Sequence, residues 1–291
     1  MTYDIETSYS IVIATVGRPC LKKTLNDIAR SSRLPNEVYI ILPKGSDFLV
    51  SDHFHDDKLK VVTLFGDKGQ VKQRTVGLGR VQNDVVVQMD DDIQFDNFVL
   101  EQLINEVVAD TNLAVAPLIF DEKHRCRTGV EITQNRFFQT LAGAIAEKQS
   151  QGVGYVSKIG LAVRPTINSS EGLIHSEWLP GGCMAFHRKF ISKENDTWSP
   201  EGKFFGEDII NCVKLKQQGM SFAFVSGAKV FTRFENITGL SSARTHFWSL
   251  IYIQRLISGR PQYFATAFFC VIRFVYQVIQ SLKRWREVPV V

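Results

Sequence analysis

Val85-Val86-Val87-Gln88-Met89 runs straight into Asp90-Asp91-Asp92. A β-branched apolar run of this length reads as a buried strand. Three carboxylates at its carboxyl end lie where open α/β sheets hold ligands. Buried carboxylates are costly unless paired or bound to metal. A hard divalent cation, Mn²⁺ or Mg²⁺, that also bridges substrate phosphates would satisfy them. A solvated acidic turn is the plain alternative, because aspartates populate turns for local reasons. Asp90 and Asp92 are two residues apart, so an extended chain would present both on one side. Asp91, between them, faces a ribose or a basic side chain.

Working outward, Ser10 to Thr15 reads as a first strand, followed by the loop Gly17-Arg18-Pro19 and a helix over Leu21 to Ser31. Glu37 to Leu42 and Leu59 to Leu64 read as further strands, and Gln70 to Arg80 as a helix. Beyond the triplet come a helix over Phe98 to Ala109 and a strand over Leu113 to Phe120. Strand–helix alternation at this rhythm predicts a parallel sheet with right-handed crossovers. Ala144 to Ser170 reads as loop, and Trp178 to Phe186 as a turn feeding a strand. A helix is predicted from about Ile209 to Gln218, stopped by Gly219, then two short strands, Phe222 to Val225 and Lys229 to Thr232.

The chain has 291 residues, 44% hydrophobic and 22% charged, which suffices for a full core. A net charge of +4 does not demand a nucleic-acid partner. Its five cysteines are scattered with no Cys-x-x-Cys pair, which speaks against zinc and redox motifs and fits reduced thiols. Residues 2–8 are polar and acidic and lack a secretory pattern, so a cytoplasmic location is expected.

Three more clusters carry chemistry. Gly69, Gln70, Lys72, Arg74 and Gly77 place basic side chains at a helix start, suited to a diphosphate or to a solvated helix face. Gly181-Gly182 after Trp178 permits a sugar or phosphate to approach backbone, or makes a hairpin. Gly206-Glu207-Asp208 opens a helix, as dipole-stabilising acids or as a general base.

Taken in order, these blocks resemble the family 2 glycosyltransferases over about Tyr9 to Phe234. The resemblance implies a GT-A fold: an α/β, Rossmann-like mixed and mostly parallel sheet flanked by helices, with a C-terminal helical appendage. It divides the chain into a transferase domain over 1–240 and a helical tail over 241–291. The first holds a nucleotide-sugar half, about 1–110, and an acceptor half, about 111–240. It further implies inverting sugar transfer from a nucleotide-diphosphate sugar to a saccharide or lipid-linked saccharide acceptor. Asp90 and Asp92 would hold Mn²⁺ or Mg²⁺. Thr15, Arg18, Lys72, Arg74, Asp90 and Asp91 would bind the donor. Trp178, Gly181, Gly182 and Glu207 would meet the acceptor, and Asp208 would be the base. Two departures stand out. Pro43-Lys44-Gly45-Ser46 replaces the usual Asp-Asp-Gly-Ser that reads the nucleobase, and Val230-Phe231-Thr232-Arg233 lacks the usual histidine. A metal-dependent sugar nucleotidyltransferase and an inactive sugar- or membrane-binding protein on the same scaffold are the competing readings. Tyr263 to Leu282, followed by Lys283-Arg284-Trp285-Arg286, suits an interfacial helix in peripheral membrane contact, or one packed on the protein's own core.

Overall fold

The computed structural model describes residues 7–128, 153–167, 172–191, 206–233 and 240–286; in the last stretch, side chains are described for 246–272 and 274–275. In chain order the elements are β1 (Tyr9–Ala14), α1 (Leu21–Ala29), β2 (Glu37–Pro43), β3 (Val61–Gly66), α2 (Gln70–Leu78), β4 (Val85–Asp90), β5 (Gln94–Phe95) and α3 (Val99–Ala109). There follow β6 (Leu113–Phe120), β7 (Tyr155–Val156), β8 (Ala162–Val163), β9 (Leu173–Ser176), β10 (Cys183–His187) and α4 (Glu207–Gln217). The chain continues with β11 (Ser221–Phe231), α5 (Leu240–Ser258) and α6 (Tyr263–Arg286).

One sheet runs in the order β3-β2-β1-β4-β10-β6-β11-β5, with β9 also on β11. The pairs β1–β2, β2–β3, β1–β4 and β6–β11 are parallel, whereas β10 runs antiparallel between β4 and β6. Both halves therefore share one mixed sheet. Every residue of β1 is buried, as is β4 up to Met89. That is the signature of central strands covered on both faces. Ile11, Ile13, Val87 and Met89 face α1 and α3 through Leu25, Ile28, Leu100 and Leu103. The alternate residues Val12, Val86, Met184 and Phe224 face the other layer, with Cys212 and Leu215 of α4.

Helix α2 is held differently, since its buried residues are Gln73, Arg74 and Gly77. Gln73 Nε2 donates to the carbonyls of Thr15 (2.8 Å) and Ile41 (2.6 Å). A Cβ at Gly77 would fall 2.5 Å from Val12 Cγ1 and 2.6 Å from Ile41 Cδ1, so only glycine lets the helix sit this close. Polar anchoring plus close approach fixes the register in which α2 presents Gln70 and Arg74, four residues apart on one face.

Several boundaries differ from expectation. The two short strands after α4 are one strand, β11, whose pairing shifts register between Val225 and Lys229; an irregularity there hides its continuity in the sequence. The expected loop over 144–170 contains, in its described part, the antiparallel pair β7–β8. β5 and β9 escaped notice because both are short and join the sheet only through β11. The five cysteines are free. Among the described residues no helix is long and apolar enough to cross a membrane.

Candidate active site

The aspartate triplet is split by the turn that begins where β4 ends. Asp90 still belongs to the strand, and its amide donates to the Gly182 carbonyl at 2.8 Å. Its Oδ1 accepts Gln70 Nε2 and Arg74 Nη2, each at 2.6 Å. Asp91 points the other way and is 2% exposed. Thr15 Oγ1 and Arg18 Nη2 donate to its carboxylate, and Arg18 Nε adds a bond at 3.1 Å. Thr24 Oγ1 ties down the Asp91 carbonyl at 2.9 Å. Thr15, Arg18 and Asp91 thus form a buried brace that fixes the turn, and Asp91 meets a basic side chain of its own chain.

Asp92 faces a third direction. Arg18 Nη2 lies 3.5 Å from it, and the Thr232 side chain hydrogen-bonds to it. Burial and the neighbouring Asp90 charge raise its pKa, while Arg18 and Thr232 pull the other way. A carboxylate whose ionisation is opposed by burial and by a neighbouring carboxylate is a ligand that a divalent cation relieves. Among the described residues no three His, Cys, Asp or Glu groups gather as a metal cage. Mn²⁺ and Mg²⁺ commonly take one or two carboxylates and complete their shells with water and substrate phosphate, so Asp90 and Asp92 fit such an ion.

Arg74 is the hub. Its side chain is only 7% exposed, yet Nη2 pairs with Asp90 and Nη1 lies 3.2 Å from Glu207. Burial opposes its charge, but Asp90, Glu207 and Asp208 more than compensate, so its pKa stays above the ordinary value. Its Nε has no hydrogen-bond partner. A buried guanidinium among carboxylates is held in one geometry, because losing Asp90 or Glu207, the two it pairs with, strands its charge.

Glu207 and Asp208 form the first turn of α4. Gly206 caps that helix with φ +86°, a left-handed conformation that favours glycine. Asp208 accepts a hydrogen bond from the Gly181 amide. Burial pushes the Asp208 carboxyl up; Arg74 and the Gly181 amide oppose this and Asp90 adds to it. The Gly181 carbonyl accepts Gln88 Nε2 at 2.9 Å, which pins the Gly-Gly turn to β4. A Cβ at Gly181 would lie 2.2 Å from Asp208 Oδ1, and one at Gly182 3.2 Å from Asp90 Oδ2. The turn is therefore the floor on which both carboxylates rest.

Asp90, Arg74, Gly181, Gly182, Glu207 and Asp208 come together as one cluster, with Asp92 beside Asp90. Lys72 stands apart, its charge acting on Asp67, which Lys44 pairs at 2.9 Å. Trp178, expected at the acceptor, lies in the core: it is 8% exposed, its indole N–H donates to the Val163 carbonyl at 3.0 Å, and its ring meets Phe224 edge-on at 6.2 Å. No indole polar group remains for a sugar. Arg233 pairs with Glu122 at 2.7 Å on the surface. Gln73, Gln88 and Thr232 went unnoticed. The signal for Gln88 was present, since an amide inside a valine run must find a buried partner. A cavity of about 1220 Å³ between α2 and α4 borders Arg74, Gly181, Glu207 and Asp208 but none of the triplet. Phosphates held at the aspartates would lie outside it.

A family profile described as "Glycosyltransferase like family 2" matches residues 7–249. The chain belongs to that family. A relative of this family member, "Uncharacterized glycosyltransferase YwdF" of Bacillus subtilis (strain 168), is 30% identical over 122 residues, 40% of this chain and 46% of that protein. Among solved structures, GalNAc-T7 with UDP, GalNAc and Mn²⁺ aligns at TM-score 0.61 and 15% identity over 86% of this chain and 48% of its own. Staphylococcus aureus TarS 1–349 in complex with UDP-GlcNAc aligns at 0.53 and 15%, over 86% and 65%. The mannosyltransferase PcManGT of Pyrobaculum calidifontis with GDP-Man and Mn²⁺ aligns at 0.51 and 13%, over 99% and 85%. At these identities the likeness shows the fold, which is GT-A. The family member spans about half the length of YwdF and of GalNAc-T7.

Proposed function

We propose that the chain transfers a sugar, with inversion, from a nucleoside-diphosphate sugar to a saccharide or lipid-linked saccharide hydroxyl, aided by Mn²⁺ or Mg²⁺. One observation carries this reading: Arg74 is clasped between Asp90, at the end of β4, and the Glu207–Asp208 turn. Charge-handling groups for a leaving phosphate and a candidate base are thereby locked in one frame. The bound ions and nucleotide sugars of the GT-A neighbours support it.

An ion held by Asp90 and Asp92 would neutralise charge on the departing diphosphate. Everything else falls to side chains of the chain. The Thr15–Arg18–Asp91 brace keeps the turn rigid, so Asp92 does not need to reorganise when donor arrives. Arg74 fixes Asp90 and offsets the negative potential around Asp208. The Asp208 carboxylate, held by the Gly181 amide, takes the acceptor hydroxyl proton. Its raised pKa brings it nearer to that task than an ordinary aspartate. The acceptor oxygen bonds to the anomeric carbon while the carbon–phosphate-oxygen bond breaks and its electrons leave on the diphosphate. A single displacement from the opposite face inverts that carbon.

The test is a panel of nucleotide sugars including UDP-GlcNAc and GDP-mannose, with Mn²⁺, Mg²⁺ or chelator, read by thermal shift and by release of nucleoside diphosphate. A metal-dependent shift and slow hydrolysis with one donor, both lost in Asp92→Ala, are expected. Folded protein that binds no donor, or that releases pyrophosphate from a nucleoside triphosphate and a sugar phosphate, would overturn the proposal.

A further inference from the structure

Helix α6 has two faces with different fates. Phe269 packs with Ile159 and Leu250, and Ala265 and Cys270 join them. The Thr266 hydroxyl accepts Gln254 Nε2 at 2.7 Å, which locks α6 onto α5. The opposite face carries Phe264 (94% exposed), Phe268 (62%), Val271 (60%) and Val275 (50%). Their spacing of four, three and four residues stacks them in one stripe along the helix. Exposed single apolar residues need no explanation, but a row containing two phenylalanines does.

Charge identifies the occupant. Tyr263 to Arg286 contains Arg273, Lys283, Arg284 and Arg286 and not one acidic residue. A second copy laid against this stripe would bring two wholly cationic helices together with no acid to pair them, whereas helix seams ordinarily set partner choice with opposite charges. An anionic lipid surface answers both features, taking the aromatic stripe into the acyl boundary and the cations among its headgroups. Arg273, Gln277 and Gln280 interrupt its apolar run, and among the described residues no helix is long and apolar enough to cross a membrane.

We infer that α6 is a docking face for an anionic membrane, lying in the interface with Phe264, Phe268, Val271 and Val275 inserted. The mechanical route to the site is short. α6 packs on α5, and Ile253 of α5 touches both Ile210 of α4 and the space at Gly206, where a Cβ would come within 3.2 Å of its Cδ1. The docked helix is thus two helices from Asp208. This inference stands whether or not the sugar-transfer reading does.

The experiment is co-sedimentation of the full chain with vesicles of phosphatidylglycerol and phosphatidylcholine, against phosphatidylcholine alone. Binding to the anionic vesicles, weakened by salt, is expected. In the double variant Phe268→Glu/Val271→Glu it should fall at least about tenfold, because two charges enter the inserted face. Both positions are solvent-exposed, and an unchanged melting temperature would show that the fold survives. Phe264→Ser, milder and at the most exposed position, should weaken binding in the same direction. No preference for anionic vesicles in the wild type would overturn the inference. So would a dimer in solution that the double variant dissociates, since the stripe would then be covered by a second copy.

Discussion

Gly181→Ala separates folding from catalysis. The added methyl would sit 2.2 Å from Asp208 Oδ1 and 3.0 Å from Arg74 Nη1. To regain ordinary contact near 3.4 Å, the carboxylate oxygen must retreat by about 1.2 Å. Gly181 has no positive φ, so its backbone accepts alanine. The obstructing atom is a side-chain oxygen rather than backbone, and a rotation of Asp208 relieves the clash at a folding cost of about 1–3 kcal/mol. The same rotation moves the base off its line and weakens the Gly181 amide bond that aims it. A displacement of about 1 Å is worth about 100-fold in rate, or about 2.7 kcal/mol of barrier. Turnover, followed as nucleoside-diphosphate release with the donor found by screening, should fall by about that factor. Donor affinity by calorimetry should stay near wild type, and the melting temperature should fall by only a few degrees. Gly182→Ala is the matched control. Its methyl meets Asp90 Oδ2 at 3.2 Å, a crowding of only tenths of an ångström on the donor side. It should weaken donor binding modestly and leave kcat almost intact. A Gly181→Ala enzyme that turns over within about threefold of wild type would refute Asp208 as the positioned base.

Asp208→Asn should lower kcat by about 10²- to 10⁴-fold with donor binding retained. It should also raise the melting temperature at neutral pH. Burial raises the folded-state pKa of Asp208, so the unfolded chain releases that proton first as pH climbs, and ionised Asp208 costs stability above the ordinary carboxylate range. Paired melts should show the Asn advantage vanishing below that range; an equal advantage at all pH values would contradict the burial argument. For Asp92, also raised by burial and by Asp90, Mn²⁺ affinity measured by calorimetry should decline on acidification at a pH above the ordinary aspartate range, and Asp92→Asn should abolish that pH dependence along with most of the affinity. Trp178→Phe removes the bond to the Val163 carbonyl and should cost about 1 kcal/mol in denaturant unfolding while KM for acceptor is unchanged; a large KM effect would return Trp178 to the acceptor site.

The β4 run and its aspartates were legible because a buried apolar strand ending in carboxylates has few physical solutions. The separate duties of the three aspartates were not. They depend on a turn that breaks strand alternation after Asp90 and on partners distant in sequence, with Arg18 arriving from 73 residues away. Lys72 and Arg74 looked alike as basic residues at one helix start, but residues two apart on a helix face different ways, whereas Gln70 and Arg74 share a face and converge on Asp90. Trp178 beside Gly181-Gly182 invited a sugar-stacking reading. Only the arrival of β8 and β11 shows that its ring and N–H are already used. Legibility therefore fell off with the number of separate chain segments a role requires. Asp208 could be picked from its helix start, yet its chemistry rests on Arg74 from α2, Asp90 from β4 and Gly181 from the turn before β10. Together they hold a carboxylate with a raised pKa, and that costs stability which a merely structural cluster would have no reason to forgo.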